Sequence, residues 1–223
     1  MKPDIDLRRD VVAELNWEPS IRDEDIAVAV KGGVVTLAGT VDTYAQRYAA
    51  ERAVERIHGV KAVANDLAVK LADGIARSDP EIAHAALTAL QWDVQVPHEG
   101  IKVRVANGHV TLDGDVQWQY QRQAAERAVH NLTGVKGVTN LIRVLEAATL
   151  TDVKQRIHEA LRRQAEADAN QLTIEVSGHA VTLHGAVRTV LEKREVEDAA
   201  WRARGVTRVE NLLTVDPLLP VLV

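Results

Sequence analysis

The sequence contains no cysteine, so disulfide bonds, thiol catalysis and zinc–thiolate sites are excluded. It has no apolar run close to the roughly 20 residues that a membrane-spanning helix needs. The segment from Met1 to Arg9 is polar and acidic, whereas a secretory signal begins with basic residues and continues with an apolar stretch. We therefore predict a cytoplasmic protein, or a periplasmic one if an export signal has been trimmed from this sequence.

An excess of positive charge is also missing. The chain has 27 basic and 32 acidic residues, a net charge of −5, and both signs are spread along its length. Nucleic-acid binding normally needs a basic patch, so a DNA or RNA partner is not expected. For the same reason, bulk charge does not predict strong attraction to anionic lipids.

Catalytic and metal-binding motifs are absent as well. The sequence contains no Gly-x-x-x-x-Gly-Lys phosphate loop, no His-Glu-x-x-His and no Gly-x-Ser-x-Gly. Its eight histidines lack neighbouring ligands at metal-binding spacing, and solvated turn histidines are the simpler interpretation. We predict no catalytic residue, no metal site and no cofactor, and hence a protein that is not an enzyme.

What the sequence does contain is one pattern repeated three times. Each copy has the motif Val-Thr-Leu-x-Gly-x-Val, then a Gly-Val pair 20 positions after the motif glycine, then an asparagine six positions later. Such self-similarity indicates repeated structural units. The motif glycines are Gly39, Gly114 and Gly185, the second glycines are Gly59, Gly134 and Gly205, and the asparagines are Asn65, Asn140 and Asn211.

Each copy predicts the element order α-β-β-α-β. Apolar residues recur every four positions in the first segment, as in Leu7, Val11 and Leu15, and they alternate in the next, as in Ile26, Val28 and Val30. We predict an α+β protein of three tandem units, each a three-stranded mixed sheet with two helices on one face. The predicted units are repeat 1 (1–72), repeat 2 (73–147) and repeat 3 (148–216), followed by an apolar tail (217–223).

Several landmarks have predicted structural roles. The second helices are predicted over 43–58, 119–133 and 189–204, each ended by the second glycine in a left-handed cap. The motif glycine predicts a bulge or a close approach by another element. The repeated asparagine lies in phase with the apolar face of its strand, so it needs a partner, most simply the backbone near the motif glycine.

These residues and spacings resemble the BON domain, and the chain looks like three BON domains in tandem. Repeat 3 departs from the pattern only at its hairpin turn, where His179 stands in place of a glycine. BON domains occur in osmotically induced periplasmic proteins, among others. The resemblance implies a non-enzymatic protein that binds phospholipid or attaches to the cell envelope, with a chaperone-like role as the alternative. It transfers no catalytic residue.

Four tryptophans are candidate contacts for lipid or a partner. Trp17 and Trp92 are equivalent positions just after the first helix, where repeat 3 has Arg163. We expect both to cover the end of the core, with an exposed lipid anchor as the alternative. Trp118 and Trp201 have no aromatic counterparts in the other repeats, which favours contacts specific to one repeat.

The outward face of the repeat 1 sheet is predicted to be small and uncharged, with Ala27, Ala29 and Ala38. The equivalent face of repeat 2 carries several charges. Because an uncharged open sheet face is usually covered, we hypothesise that it packs against another repeat, a second chain or a partner. A homo-oligomer is thus one possible outcome.

The tail contains Leu218, Leu219 and Leu222 but is too short to span a bilayer, and its prolines exclude a regular helix. Docking on the protein itself or on a neighbour ranks ahead of membrane contact. The combined prediction is a stress-related protein that binds phospholipid or envelope surfaces. The alternative is a protein-binding scaffold acting through the repeat 1 sheet face and the tail.

Overall fold

The structure is a computed structural model that describes residues 2–22, 25–71, 76–145, 155, 157, 159, 172–203, 205–217 and 219. The chain forms two compact units. One consists of Met1–Gly39, Ala49–Asp66 and Glu146–Val223, and the other of Thr40–Tyr48 and Leu67–Leu145. The first unit thus joins most of repeat 1 to repeat 3, and the second holds repeat 2 with two short parts of repeat 1.

The helices follow the predicted apolar periodicity. They are α1 (Asp4–Trp17), α2 (Tyr44–Glu55), α3 (Asp79–Trp92), α4 (Gln119–His130) and α5 (Val190–Trp201), with a 3₁₀ turn at His98–Gly100. Leu7, Val11 and Leu15 are buried along α1. In repeat 3, Ile157 is helical and buried, as the same periodicity predicts for its first helix.

Each repeat has a sheet with its second strand at the centre. The strands are β1 (Ile26–Lys31), β2 (Val34–Val41), β3 (Ala62–Val69), β4 (Ile101–Ala106), β5 (His109–Val116), β6 (Gly137–Val144), β7 (Leu172–Ser177), β8 (Ala180–Val187), β9 (Arg208–Asn211) and β10 (Thr214–Val215). The first two strands of each sheet pair antiparallel. In repeats 2 and 3 the last strand runs parallel to the centre, and in repeat 3 it is split into β9 and β10. The predicted α+β fold with mixed sheets is confirmed.

Both helices of repeat 2 pack on one face of its sheet. Leu90 of α3, Leu112 of β5 and Val129 of α4 belong to one buried cluster. The alternate residues of β5, such as Asp113 and Asp115, are exposed. Burial of an apolar side chain contributes about 1.5–3 kcal/mol to folding, so this shared cluster is the main source of stability in the repeat.

The second helices end three residues earlier than predicted. Helix α2 ends at Glu55, and the next N–H groups bond three residues back, from Arg56 to the Ala53 carbonyl (3.3 Å) and from Ile57 to the Val54 carbonyl (3.1 Å). This tighter turn satisfies the last carbonyls. Gly59 lies beyond it with φ 105°, so the prediction that the second glycine directly caps the helix is wrong.

The motif glycine marks a close approach and not a bulge. Gly39 pairs in register with Ile26, so no extra residue interrupts the ladder. Its φ is 128°, and a Cβ at this position would collide with the carbonyl oxygen of Asp25. Gly114 has φ 150° and would collide with the carbonyl of Gly100. Glycine is therefore required here in both repeats.

The hairpin turns explain why repeat 3 tolerates a histidine. In repeat 2 both turn residues, Asn107 and Gly108, have positive φ (53° and 79°), which is the type I′ geometry. In repeat 3 only the first turn residue, Gly178, has a positive φ (56°), as in a type II′ turn. His179 occupies the second position, and its Nδ1 lies 2.8 Å from the carbonyl oxygen of Gly205.

Candidate interaction surfaces

A pair of polar side chains joins the second helix to the last strand. Asn140 of β6 donates from Nδ2 to Glu126 Oε2 (3.1 Å) and to the carbonyl of Arg122 (3.0 Å), both on α4. Its Oδ1 accepts from the N–H of Ile142 (3.2 Å). The asparagine therefore bonds both the helix and the backbone of Ile142, which pairs in register with the motif glycine Gly114. The predicted backbone partner is present, and the helix is an additional one.

The same pair recurs in the other repeats. Asn65 donates to Glu51 Oε2 (3.1 Å), and Asn211 donates to Glu197 Oε2 (3.0 Å). The glutamate precedes the asparagine by 14 positions each time. Sequence reasoning missed it, because a glutamate on an amphipathic helix is usually solvated. Its recurrence at one spacing was the signal that could have identified it.

Repeat 3 contacts repeat 1 through an ion pair inside the first compact unit. Arg194 of α5 places Nη2 at 2.5 Å from Glu55 Oε1 and at 3.3 Å from Glu51 Oε1, both on α2. Glu51 therefore uses one carboxylate oxygen within its own repeat, toward Asn65, and the other toward repeat 3. The single nitrogen Nη2 thus contacts both carboxylates, and the permanent charge of arginine suits it to a buried ion pair.

Glu55 is an unusual residue because it is charged and only 2% exposed. Burial raises the pKa of its carboxyl, and the nearby Arg194 acts in the opposite direction. Its second oxygen, Oε2, is buried and accepts no hydrogen bond from the residues that the structure describes. The stability of this buried carboxylate therefore depends mainly on Arg194.

Repeat 1 also contacts repeat 2, in this case inside the second compact unit. The rings of Tyr48 of α2 and His130 of α4 have centroids 5.3 Å apart at an interplanar angle of 38°. Tyr44, one turn earlier in α2, packs against the buried cluster of repeat 2. An aromatic pair of this geometry contributes about 0.5–1.5 kcal/mol beyond the area that it buries.

The two equivalent tryptophans do not cover the core. Trp17 is 83% exposed and Trp92 is 80% exposed, each as the last residue of its helix. The prediction that they close the end of the core is therefore wrong. Next to Trp92, Val94 is 99% exposed, so the end of α3 presents two large apolar side chains to solvent.

The other two tryptophans are half-buried. Trp118 precedes α4 as its N-cap residue. Trp201 is the last residue of α5, packs against the core of repeat 3, and donates from Nε1 to Glu197 Oε1 (3.5 Å). Trp201 thus adds a second contact to the glutamate that bonds Asn211, and this contact is specific to repeat 3.

The outward sheet faces of repeats 1 and 2 differ as predicted in chemistry. Ala27 and Ala29 are exposed and Ala38 is half-buried, so the described part of the chain does not cover this face. Packing of the face against another repeat, a second chain or a partner stays a prediction. In repeat 2, Arg143 pairs with Asp115 (2.9 Å) on the same face.

Part of the apolar tail lies within the described residues. Pro217 is buried and Leu219 is half-buried, whereas Leu218 and Leu222 lie outside the described residues.

None of the helices in the described ranges has both the length and the apolar character of a membrane span. The same residues contain no group of three or more potential ligands that could hold a metal ion.

Comparison with known proteins identifies the family. The chain is 33% identical over 135 residues to the osmotically-inducible protein Y of Escherichia coli (strain K12), covering 58% of this chain and 67% of that protein. Two solved structures also align. They are CdsD, a structural protein of the type III secretion system of Chlamydia trachomatis (16% identity, 97% and 93% of the two chains, TM-score 0.26), and the periplasmic domain of PrgH from S. typhimurium (12%, 87% and 97%, TM-score 0.21).

TM-scores this low support no argument, so the sequence comparisons decide the family. The family model described as BON domain matches three times, at residues 3–70, 78–146 and 149–217. The three matches span nearly the whole sequence and confirm the resemblance drawn from the repeated motif. This chain belongs to the BON domain family and contains three copies of the domain in tandem.

Proposed function

We propose that this protein is a non-enzymatic binding protein that associates with phospholipid surfaces of the cell envelope in a stress-related role. The observation that supports it best is the exposure of Trp17 and Trp92, which end equivalent helices in repeats 1 and 2. A tryptophan ring suits the boundary between headgroups and acyl chains, because it is apolar and carries one N–H donor. The name of the E. coli relative, osmotically-inducible protein Y, supports the stress-related part.

The charges around Trp17 indicate how such binding would work. Arg56 pairs with Glu14 (2.9 Å) and with Glu18 (3.3 Å), the residue that directly follows Trp17. The hydrogen bonds from Ser20 and Arg56 lower the pKa of Glu18, so they favour the charged form of that carboxylate. Insertion of the ring, and not attraction to anionic headgroups, would therefore supply the binding energy. Burying one such ring contributes about 2–3 kcal/mol.

The test is flotation of the full chain with vesicles of phosphatidylcholine alone and with added phosphatidylglycerol, at low and physiological salt. We expect the wild type to float with only weak dependence on salt. The variant Trp17→Ala/Trp92→Ala should lose at least tenfold in bound fraction, because it lacks both rings. Tyr120→Ala is the matched control, since Tyr120 is an exposed aromatic (49%) on α4 and should leave flotation unchanged.

Two results would contradict the proposal. One is a wild type that floats under no condition. The other is an equal loss of flotation in the tryptophan and tyrosine variants, which would mean that Trp17 and Trp92 do not contribute specifically to vesicle binding. Circular dichroism of each variant checks that the fold is intact.

A second candidate function is a protein-binding scaffold that uses the uncharged sheet face of repeat 1. Its supporting observation is that Ala27 and Ala29 are exposed. Their cross-strand partners on that face, Ala38 and Thr36, are uncharged. Ala29→Lys should then weaken concentration-dependent assembly or the suppression of client aggregation, and it should leave vesicle flotation unchanged. An unaltered assembly profile in Ala29→Lys would remove this candidate.

A further inference from the structure

The second helix of every repeat presents three residues on one side, at positions i, i+3 and i+7, which we call the helix-2 face. The helix-2 faces are Tyr48, Glu51 and Glu55 in repeat 1, Gln123, Glu126 and His130 in repeat 2, and Arg194, Glu197 and Trp201 in repeat 3. The middle residue is always the glutamate that bonds the asparagine of its own repeat. The first and last residues vary from repeat to repeat.

Both contacts described above between repeats use these variable positions in the same way. Tyr48, the first residue of its face, meets His130, the last residue of the face in repeat 2. Arg194, again a first residue, meets Glu55, again a last residue, at 2.5 Å. The geometry is thus shared, whereas the chemistry is aromatic in one contact and ionic in the other.

We propose that the helix-2 face is a docking surface for another BON repeat of the same chain, and that its first and last residues select which repeat docks. The selection follows from what a wrong pairing would cost. If Gln123 of repeat 2 met Glu55, the buried carboxylate would face a neutral amide in place of Arg194. If Arg194 met His130, the guanidinium would have no carboxylate at that position. This inference is independent of the proposed lipid association.

A charge-reversal cycle in the full chain tests the selection. Glu55→Arg and Arg194→Glu should each lower the melting temperature by several degrees, because each places like charges together. The double variant Glu55→Arg/Arg194→Glu restores an opposite pair, so it should recover at least half of the combined loss. Losses that simply add in the double variant would overturn the proposal, since residues that do not interact behave additively.

Chemical cross-linking tests the docking itself, with variants that avoid charge reversal. The wild-type chain has no cysteine, so Glu55→Cys/Arg194→Cys carries the only two thiols. With a short bismaleimide, this pair should form the intramolecular cross-link at least tenfold faster than the control Asn16→Cys/Arg194→Cys. Asn16 is an exposed residue of α1 outside the helix-2 face. Equal rates in the two variants would overturn the docking assignment.

Discussion

Repeats 1 and 2 have the same framework and different surfaces. In both, an aspartate at the start of the first helix accepts the two N–H groups of the hairpin turn: Asp4 from Gly32 and Gly33, and Asp79 from Asn107 and Gly108. Their outward sheet faces, by contrast, are alanine-rich in one and charged in the other. The contacts that hold the fold are therefore the repeated ones, and we expect the differences between the repeats to carry their separate roles.

The largest effect on the free energy of unfolding is expected from the motif glycines, and it should be the same in repeats 1 and 2. Gly39→Ala and Gly114→Ala each force a Cβ against a carbonyl oxygen at a strongly positive φ, so each should cost about 3 kcal/mol or more. Gly32→Ala is the control, because its φ is also positive (61°) but no atom lies within 4 Å of the added Cβ. That variant should cost about 1 kcal/mol.

Urea denaturation of the three glycine variants measures these differences. If Gly39→Ala were no more destabilising than Gly32→Ala, the close approach would not be what requires glycine. If Gly39→Ala and Gly114→Ala differed widely, the two repeats would not share one framework.

A smaller effect, dependent on pH, is expected where repeat 1 meets repeat 3. Arg194→Ala leaves Glu55 buried without its cation, close to the charges of Glu51 and Arg52, and should cost about 2 kcal/mol at neutral pH. Because the folded-state pKa of Glu55 is raised, its contribution to stability is full below the unfolded value of 4.5 and is lost as pH rises through the folded pKa. Removal of Arg194 raises that pKa further.

The stability lost in Arg194→Ala should therefore be smaller at pH 5 than at pH 7.5, because the raised pKa moves Glu55 toward its protonated form as the pH falls. Equilibrium denaturation at both pH values checks this. In the background Glu55→Gln, the same Arg194→Ala change should show no such dependence on pH. If Arg194→Ala lost the same stability at both pH values while Glu55 is present, a group other than Glu55 would account for the loss.

The smallest effect on stability is expected at the surface that distinguishes repeats 1 and 2 from repeat 3. Trp92→Arg introduces the residue type that repeat 3 has at this position. Because Trp92 is 80% exposed, the free energy of unfolding should change by less than about 0.5 kcal/mol. A decrease of about 2 kcal/mol in the free energy of unfolding, measured by thermal denaturation, would show that Trp92 stabilises the fold.

The fold was predictable because it is local and repeated. Alternating Ile26, Val28 and Val30, the hairpin glycines and the amphipathic helices each specify their own element, and three copies at one spacing remove most ambiguity. The capping box of α3 was also predictable. The Glu81 carboxylate accepts from the N–H (2.9 Å) and hydroxyl (2.6 Å) of Ser78, as the Ser-Asp-Pro-Glu sequence indicates.

The interaction surfaces were less predictable, for two physical reasons. Exposure of Trp17 and Trp92 depends on where each helix ends relative to the core, and composition alone favours burial of a large aromatic. The contacts of Arg194 with Glu55 and of Tyr48 with His130 join residues far apart in sequence. Neither pair has a periodicity or a spacing that could reveal it within a single repeat.

The two oxygens of Glu51 have a consequence for how the protein unfolds. One oxygen accepts a hydrogen bond from Asn65 of repeat 1, and the other contacts Arg194 of repeat 3. A single rotamer of the Glu51 side chain therefore serves both contacts. Loss of either partner weakens the positioning of the other. Repeats 1 and 3, although separated by repeat 2 in sequence, should therefore open and exchange their amide hydrogens as a single cooperative unit.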